Sequence, residues 1–184
     1  MNAPAFKRMT AEEFVAWAMN QELGRFELID GVIIKMNSER SVHARVKRRI
    51  ANTLEAAMWR AGLDGEVFGD GMAVKISANL VHEPDAMLRM GAPLADDTVL
   101  VTDPVIVVEL LSPSTGPVDT STKLVNYFTL PSVQHYLIVN TTKRIVLHYT
   151  HGANGQPVMK SVTSGELALT PPGIAVDIAE FFAA

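Results

Sequence analysis

The stretch Pro104 to Leu111, PVIVVELL, narrows most what this chain can fold into: it is apolar throughout except for Glu109. A half-exposed strand would carry a polar residue at every second position, so an unbroken apolar run reads as a strand covered on both faces. Covering both faces takes a layer on either side, which points to a mixed α/β architecture around a central sheet. The 184 residues suit one domain, 1–184. With 48% hydrophobic and 20% charged residues, the chain has the apolar surface to build such a core and lacks the composition of a disordered one.

The flanking sequence supplies the other elements. Thr10 with Glu13 three residues on is a capping-box pattern for a short helix through Phe14, Val15 and Trp17. Asp30-Gly31 between two apolar runs predicts a hairpin with strands at 25–29 and 32–36, because that turn needs positive φ at both central residues. Ser41 is placed to cap a long helix with apolar positions Val42, Val46, Ile50, Leu54 and Met58, ending near Gly62. Further strands are expected at 66–77, interrupted at Gly69 to Gly71, and around Pro84 to Leu88. After 104–111 the pattern predicts a loop at 112–117, a helix over 118–129, strands at 135–140, 144–150 and 158–162, and a C-terminal turn ending in Phe181-Phe182. From residue 42 the order is thus helix, three strands, helix, strand.

Whole classes of function drop out. Without cysteine there is no disulfide scaffold, thiolate zinc site or cysteine nucleophile, so any metal must sit on oxygen or imidazole. The five histidines show no ligand spacing. A net charge of -4 argues against coating nucleic acid or membrane by bulk charge. With no apolar segment behind the first basic residues and no membrane-length apolar run, a soluble, cytoplasmic protein is expected.

Glu109 carries the chemistry. A carboxylate inside an apolar strand is costly unless it is paired or binds a metal, and alternation places it on the face of Val105, Val107 and Leu111. It reads either as a strand-end carboxylate bonded to backbone or lysine, or as a ligand. Asp85, on the short strand before, reads either as a turn aspartate or as a second ligand. Asp119, Lys123 and Tyr127 recur every fourth residue, as a surface ion pair or as a basic face turned toward Glu109. Two carboxylates on adjacent strands with a lysine on the crossing helix suit a divalent cation and a polarised water. Arg45, Arg48, Arg49 and Asn52 share one face of the long helix, with Lys47 beside them; this is a solvated face or a phosphate-contacting one.

These residues carry a resemblance. The element order, with Pro84-Asp85 and then Glu109 on the third strand, resembles the PD-(D/E)xK restriction-endonuclease-like core. ELIDG (27–31), SVHARV (41–46), EPD (83–85), VVELLSPST (107–115), the Asp119, Lys123, Tyr127 triplet and LPSVQHYLIVN (130–140) resemble the Uma-two family of endonucleases, nearly end to end. The resemblance implies that Asp85 and Glu109, with the backbone carbonyl of Leu110, hold Mg²⁺ or Mn²⁺ for hydrolysis of DNA. It also implies that Lys123 replaces the motif's usual lysine, whose position here is Leu111. Glu27, Tyr127 and Asp119 are accessory candidates, and Arg45, Arg48 and Arg49 are candidates for DNA contact. Leu111 and the acidic balance also suit a rival reading, an inactive nuclease-fold binding or assembly module. A homodimer is expected, since small symmetric oligomers are common and cutting two strands takes two sites.

Overall fold

The computed structural model describes residues 8–111 and 117–183, with the side chains of 117–119 outside the description. Helix α1 (Ala11–Ala18) starts at the expected capping box: Thr10 Oγ1 accepts from the Glu13 N–H at 3.2 Å and Glu13 returns the bond at 3.0 Å. Strands β1 (Phe26–Ile29) and β2 (Val32–Lys35) form the Asp30-Gly31 hairpin, with φ of 50° and 77° at the two turn residues. Helix α2 (Ser41–Arg60) begins one residue earlier than its sequence suggests. Arg40 is the N-cap, its carbonyl taking the first helical bonds from His43 and Ala44, and no side chain caps it. Gly62, at φ 66°, ends the helix as expected.

The expected strand at 66–77 is two strands in two sheets. β3 (Gly65–Phe68) and β4 (Ala73–Ser77) are separated by Gly69-Asp70-Gly71, where the chain leaves one sheet for the other. β5 (Leu80–His82) returns beside β4; Glu83 and Pro84 then carry the chain back to β6 (Ala86–Met90). β7 (Leu100–Val101) and β8 (Pro104–Leu111) follow, then α3 (Pro117–Tyr127), β9 (His135–Asn140), β10 (Ile145–His151) and β11 (Pro157–Val162). The expected C-terminal turn is a hairpin, β12 (Glu166–Leu169) and β13 (Ile174–Asp177), closed by α4 (Ile178–Phe181).

Among the described residues a six-stranded sheet runs β11-β10-β9-β8-β6-β3 and a five-stranded sheet β2-β1-β5-β4-β7. β8 and β9 are parallel, joined over α3, and the β3-β6-β8-α3-β9 path after α2 reproduces the expected order. α2 lays Val46, Ile50, Leu54 and Met58 on Leu88, Ile106, Val108 and Leu137, with the C-terminal hairpin and α4 extending that layer. The opposite face buries Met87, Val107, Tyr127, Tyr136 and Ile138. β8 is therefore covered on both sides, which is why its sequence does not alternate. Val105 departs from the expected face: Leu88 pairs with Ile106 and Arg89 with Pro104, so Val105 is the extra residue of a bulge and packs on the α2 side. No described helix is long and apolar enough to cross a membrane.

Two features of this frame predict measurable effects. A Cβ at Gly65 would lie 2.5 Å from the Arg89 carbonyl oxygen and 2.9 Å from Met58 Sδ. Gly65→Ala should therefore cost about 1–3 kcal/mol, read as a lower urea midpoint with an unchanged slope.

The second is a histidine pair that the linear spacing hides. His135 Nε2 lies 2.7 Å from the Pro171 carbonyl, so it must carry the hydrogen; His135 Nδ1 then accepts from His148 Nε2 at 2.8 Å. Burial pushes both rings down, His148 to about 4 with the neighbouring His135 and Lys160 adding to the shift. The unfolded chain protonates first, near 6.5, so stability is present above that pH and is lost as pH falls toward about 4. The denaturation midpoint should drop between about pH 7 and about pH 5, and more shallowly in His148→Leu.

Candidate active site

The chain switches sheets at Glu83-Pro84-Asp85, and this corner gathers the acidic residues. Asp85 stands one residue before β6 and its N–H donates to the Val108 carbonyl at 3.0 Å, which brings it beside Glu109, the next residue of β8, where its charge acts on that carboxyl. Like charges this near repel, and a separate lysine meets each. Lys47 of α2 places Nζ 2.7 Å from Asp85 Oδ1, while the Leu110 backbone N–H donates to Asp85 Oδ2 at 2.6 Å. Lys123 of α3 places Nζ 3.1 Å from Glu109 Oε1 and 2.9 Å from Glu27 Oε1.

Glu27 comes from the five-stranded sheet. The β1–β5 register sets it across from His82, whose Nδ1 lies 3.5 Å from Glu27 Oε2, and the Glu83 backbone N–H donates to Glu27 Oε1 at 2.9 Å. Lys123 therefore ties the two sheets together through two carboxylates. Burial pushes Glu27 up, but the nearby His82 ring and the Lys123 ammonium more than reverse it and hold the carboxyl down at about 2. Glu109 goes the other way. Burial pushes it up to about 8; Lys123 opposes the rise, and the charges of Asp85 and Glu27 add to it. Burial alone would lower Lys123, but Glu109 and Glu27 raise it above the usual lysine range, so it stays an ammonium.

Tyr127 is fully buried; burial first, and then the Glu109 and Glu27 charges, keep its hydroxyl protonated, and it donates to Glu109 Oε1 at 3.2 Å. Asn126 bonds His82 Nε2 at 2.9 Å. A cavity of about 10 Å³, room for about one water, opens beside Glu109 and Lys123, between Leu111, Thr120, Tyr136 and Ile138.

The candidates separate clearly in space. Asp85, Glu109, Lys123, Glu27 and Tyr127 converge on this corner, and the Leu110 backbone touches Asp85. The side chain of Asp119 lies outside the described residues, as does the loop at 112–116. Arg45, Arg48 and Asn52 are exposed and Arg49 half-buried; among the described residues none of the three arginines forms an ion pair. Leu111, in the common lysine position, packs against the apolar layer beneath α3.

Lys47, expected on the solvated face beside the arginines, is instead buried in this site. It is 7% exposed and also pairs with Glu39 and, at 3.0 Å, with Asp70. The helical wheel carries the signal: at 100° per residue Lys47 falls about 20° from Leu54, within the apolar stripe, and about 160° from Arg45. Arg25 completes the network, 2.9 Å from Asp70 and 2.7 Å from Glu83.

The cluster thus holds six carboxylates (Glu27, Glu39, Asp70, Glu83, Asp85, Glu109) against three cations (Arg25, Lys47, Lys123). Its donors are hard oxygens and its balance is negative, which fits a divalent cation of the Mg²⁺ class. Among the described residues no three His, Asp or Glu side chains surround one point. The fit is to an ion held by one or two carboxylates that keeps most of its waters, as Mg²⁺ commonly does.

The family model Uma2, described as "Putative restriction endonuclease", matches residues 11–179. The chain is 28% identical over 177 residues to "Uncharacterized protein slr1290" of Synechocystis sp., covering 94% of this chain and 92% of that protein. It is 27% identical over 146 residues to "Uncharacterized protein sll1609" of the same organism, covering 78% and 81%. Its fold resembles the crystal structure of "a putative nuclease belonging to DUF820" from Anabaena variabilis, with a TM-score of 0.75 over 95% of this chain and 97% of that one, at 14% identity. The family match runs from the start of α1 into α4, through both sheets and the acidic corner between them, and on that extent the chain belongs to the Uma2 family of restriction-endonuclease-like proteins.

Proposed function

We propose that this chain is a divalent-metal-dependent nuclease that hydrolyses DNA phosphodiester bonds at the Asp85–Glu109 corner. The observation that carries this reading is the meeting of Asp85, just before β6, and Glu109 of β8 at one corner, each with its own buried ammonium, 2.7 Å from Asp85 and 3.1 Å from Glu109. Asp85 and Glu109 would hold Mg²⁺ or Mn²⁺, with the Leu110 carbonyl as a further oxygen. When bound, the metal polarises the scissile phosphate and lowers the pKa of a water. Lys123, held charged by its two acids, orients the attacking water and offsets negative charge growing on the phosphate. Glu27 fixes Lys123, and Tyr127 fixes the Glu109 carboxylate from the side away from solvent. Asp119, four residues before Lys123, is an accessory on the same helix face. Arg45, Arg48 and Arg49 contact backbone phosphates along the duplex. Cutting both strands calls for two such sites, and hence two copies of the chain.

Supercoiled and linear DNA incubated with Mg²⁺ or Mn²⁺ should be cut, and chelation should stop the reaction. An Asp85→Ala protein that is folded by circular dichroism should be inactive. The lysines that already neutralise Asp85 and Glu109 favour a second reading, a nuclease fold kept as a binding module. That reading wins if no DNA substrate is cut with either metal, or if Asp85→Ala cuts as well as the unmutated protein.

A further inference from the structure

Lys47 reaches its carboxylates from an unusual direction. It rises from the helix on the opposite face of the six-stranded sheet from α3, yet its ammonium meets Asp85 at 2.7 Å, Asp70 at 3.0 and 3.2 Å, and Glu39. These three acids come from separate parts of the chain: the corner before β6, the turn between β3 and β4, and the segment before α2. Both oxygens of Asp85 are engaged, Oδ1 by Lys47 and Oδ2 by the Leu110 N–H. An incoming cation that takes Oδ1 therefore meets the ammonium at the same oxygen.

The surroundings let the ammonium leave without losing all its partners. Asp70 and Glu39 have side chains 30% and 29% exposed, against 11% for Asp85. They lie on the outer side of the cluster, and the four-carbon lysine stem can swing between them. Arg25 also holds Asp70, donating to Oδ1 at 2.9 Å, so this second berth is kept in place. Lys123 has no such alternative, since the side chains of its partners, Glu27 and Glu109, are only 7% and 13% exposed.

We infer that Lys47 is a resident counter-ion of Asp85 that yields to the divalent metal, moving onto Asp70 and Glu39, and so sets the metal affinity of the site. This rests on the metal reading of Asp85 and Glu109 given above. In the metal-free protein Lys47 neutralises Asp85 and holds it in the geometry the ion requires. Its ammonium competes for the same oxygen and repels the ion, so the site binds metal more weakly than its carboxylates alone would. Lys47 is thus a positioning residue whose removal tightens metal binding, the reverse of what the loss of a purely structural ion pair would do.

Calorimetric titration of Mn²⁺ and Mg²⁺ into the unmutated protein, Lys47→Met and Lys47→Arg tests this. Taking one positive charge from about 5 Å of a divalent ion is worth about tenfold in affinity even with the screening of water, so Lys47→Met should bind at least about tenfold tighter. Lys47→Arg should stay near the unmutated value, and metal-free Lys47→Met should melt at a lower temperature. Equal or weaker binding by Lys47→Met, with the unmutated protein binding normally, overturns the exchange and leaves the metal reading standing. Binding by neither protein at millimolar metal overturns both. If Lys47→Met does not fold, the unmutated protein decides: acylation of the Lys47 amine, followed by mass spectrometry, should accelerate when Mg²⁺ is added while that of Lys75, paired with Glu12 elsewhere, does not. Unchanged Lys47 reactivity overturns the inference.

Discussion

Lys123→Met should destabilise the fold by about 3–5 kcal/mol and abolish DNA cleavage. The lysine is 7% exposed and its ammonium bridges Glu27 at 2.9 Å and Glu109 at 3.1 Å. Methionine fills the same volume, so little packing is lost, but two buried carboxylates are left facing each other with no cation between them. Such a pair relieves its repulsion by taking up a proton. Glu27, no longer held down, should titrate well above its present value of about 2. The sign of the pH dependence follows. In the unmutated protein a depressed carboxyl lends stability above its unfolded pKa and loses it as pH falls; in Lys123→Met the raised carboxyls make the folded state take up protons first, so the deficit should shrink toward acid. Urea denaturation of both proteins at about pH 7.5 and about pH 5.5 measures it. A loss below about 1 kcal/mol would mark Lys123 as an ordinary surface ion-pair partner.

Glu109→Gln should split stability from activity. Glu109 is a carboxylate pushed up to about 8 by burial and by the charges of Asp85 and Glu27, with Lys123 only partly opposing. The folded state is therefore stabilised by its protonation, and the contribution fades as pH rises from about 4.5 through about 8. Glutamine mimics the protonated form at every pH. Lys123 keeps Glu27 as a partner, and Tyr127 can still donate to the amide oxygen. Glu109→Gln should be as stable as the unmutated protein near pH 5 and more stable, by about 1 kcal/mol, above about pH 8. Cleavage should fall about a thousandfold or more, because an amide is a poor ligand for a hard divalent cation and the metal's share of the barrier is several kcal/mol. Retained cleavage would remove Glu109 from the metal site; a large loss of stability would make it a structural ion-pair member.

The opposite signs expected for these neighbours reflect what the sequence could and could not disclose. PVIVVELL announced a strand covered on both faces, and Glu109 stood out because its charge conflicts with that environment. Asp30-Gly31 and the Thr10–Glu13 box announced their elements because each needs only local bonds. The five-stranded sheet was harder to read. β5 and β7 have three and two residues, too short for alternation to register, and the 66–77 stretch divides between sheets where a local pattern shows only an interruption. The bulge at Val105 depends on the register with β6, and the His135–His148 bond on pairing across β9 and β10; neither spacing is written in the chain. Lys47 was legible by its angle on α2, yet a charged residue among arginines reads as solvated until the acids that bury it are found. Those acids lie 8 residues before it and 23 and 38 after it, in segments brought together only by the corner between the sheets.

The anomalous difference map of a crystal soaked in Mn²⁺ decides whether Asp85 and Glu109 hold the metal. One strong peak is expected about 2.2 Å from oxygens of both residues, near the range for small divalent ions, with Lys47 Nζ moved off Asp85 onto Asp70 and Glu39 and Lys123 still between Glu27 and Glu109. A map with no peak at this corner, both lysines remaining on their present carboxylates at saturating Mn²⁺, would contradict it.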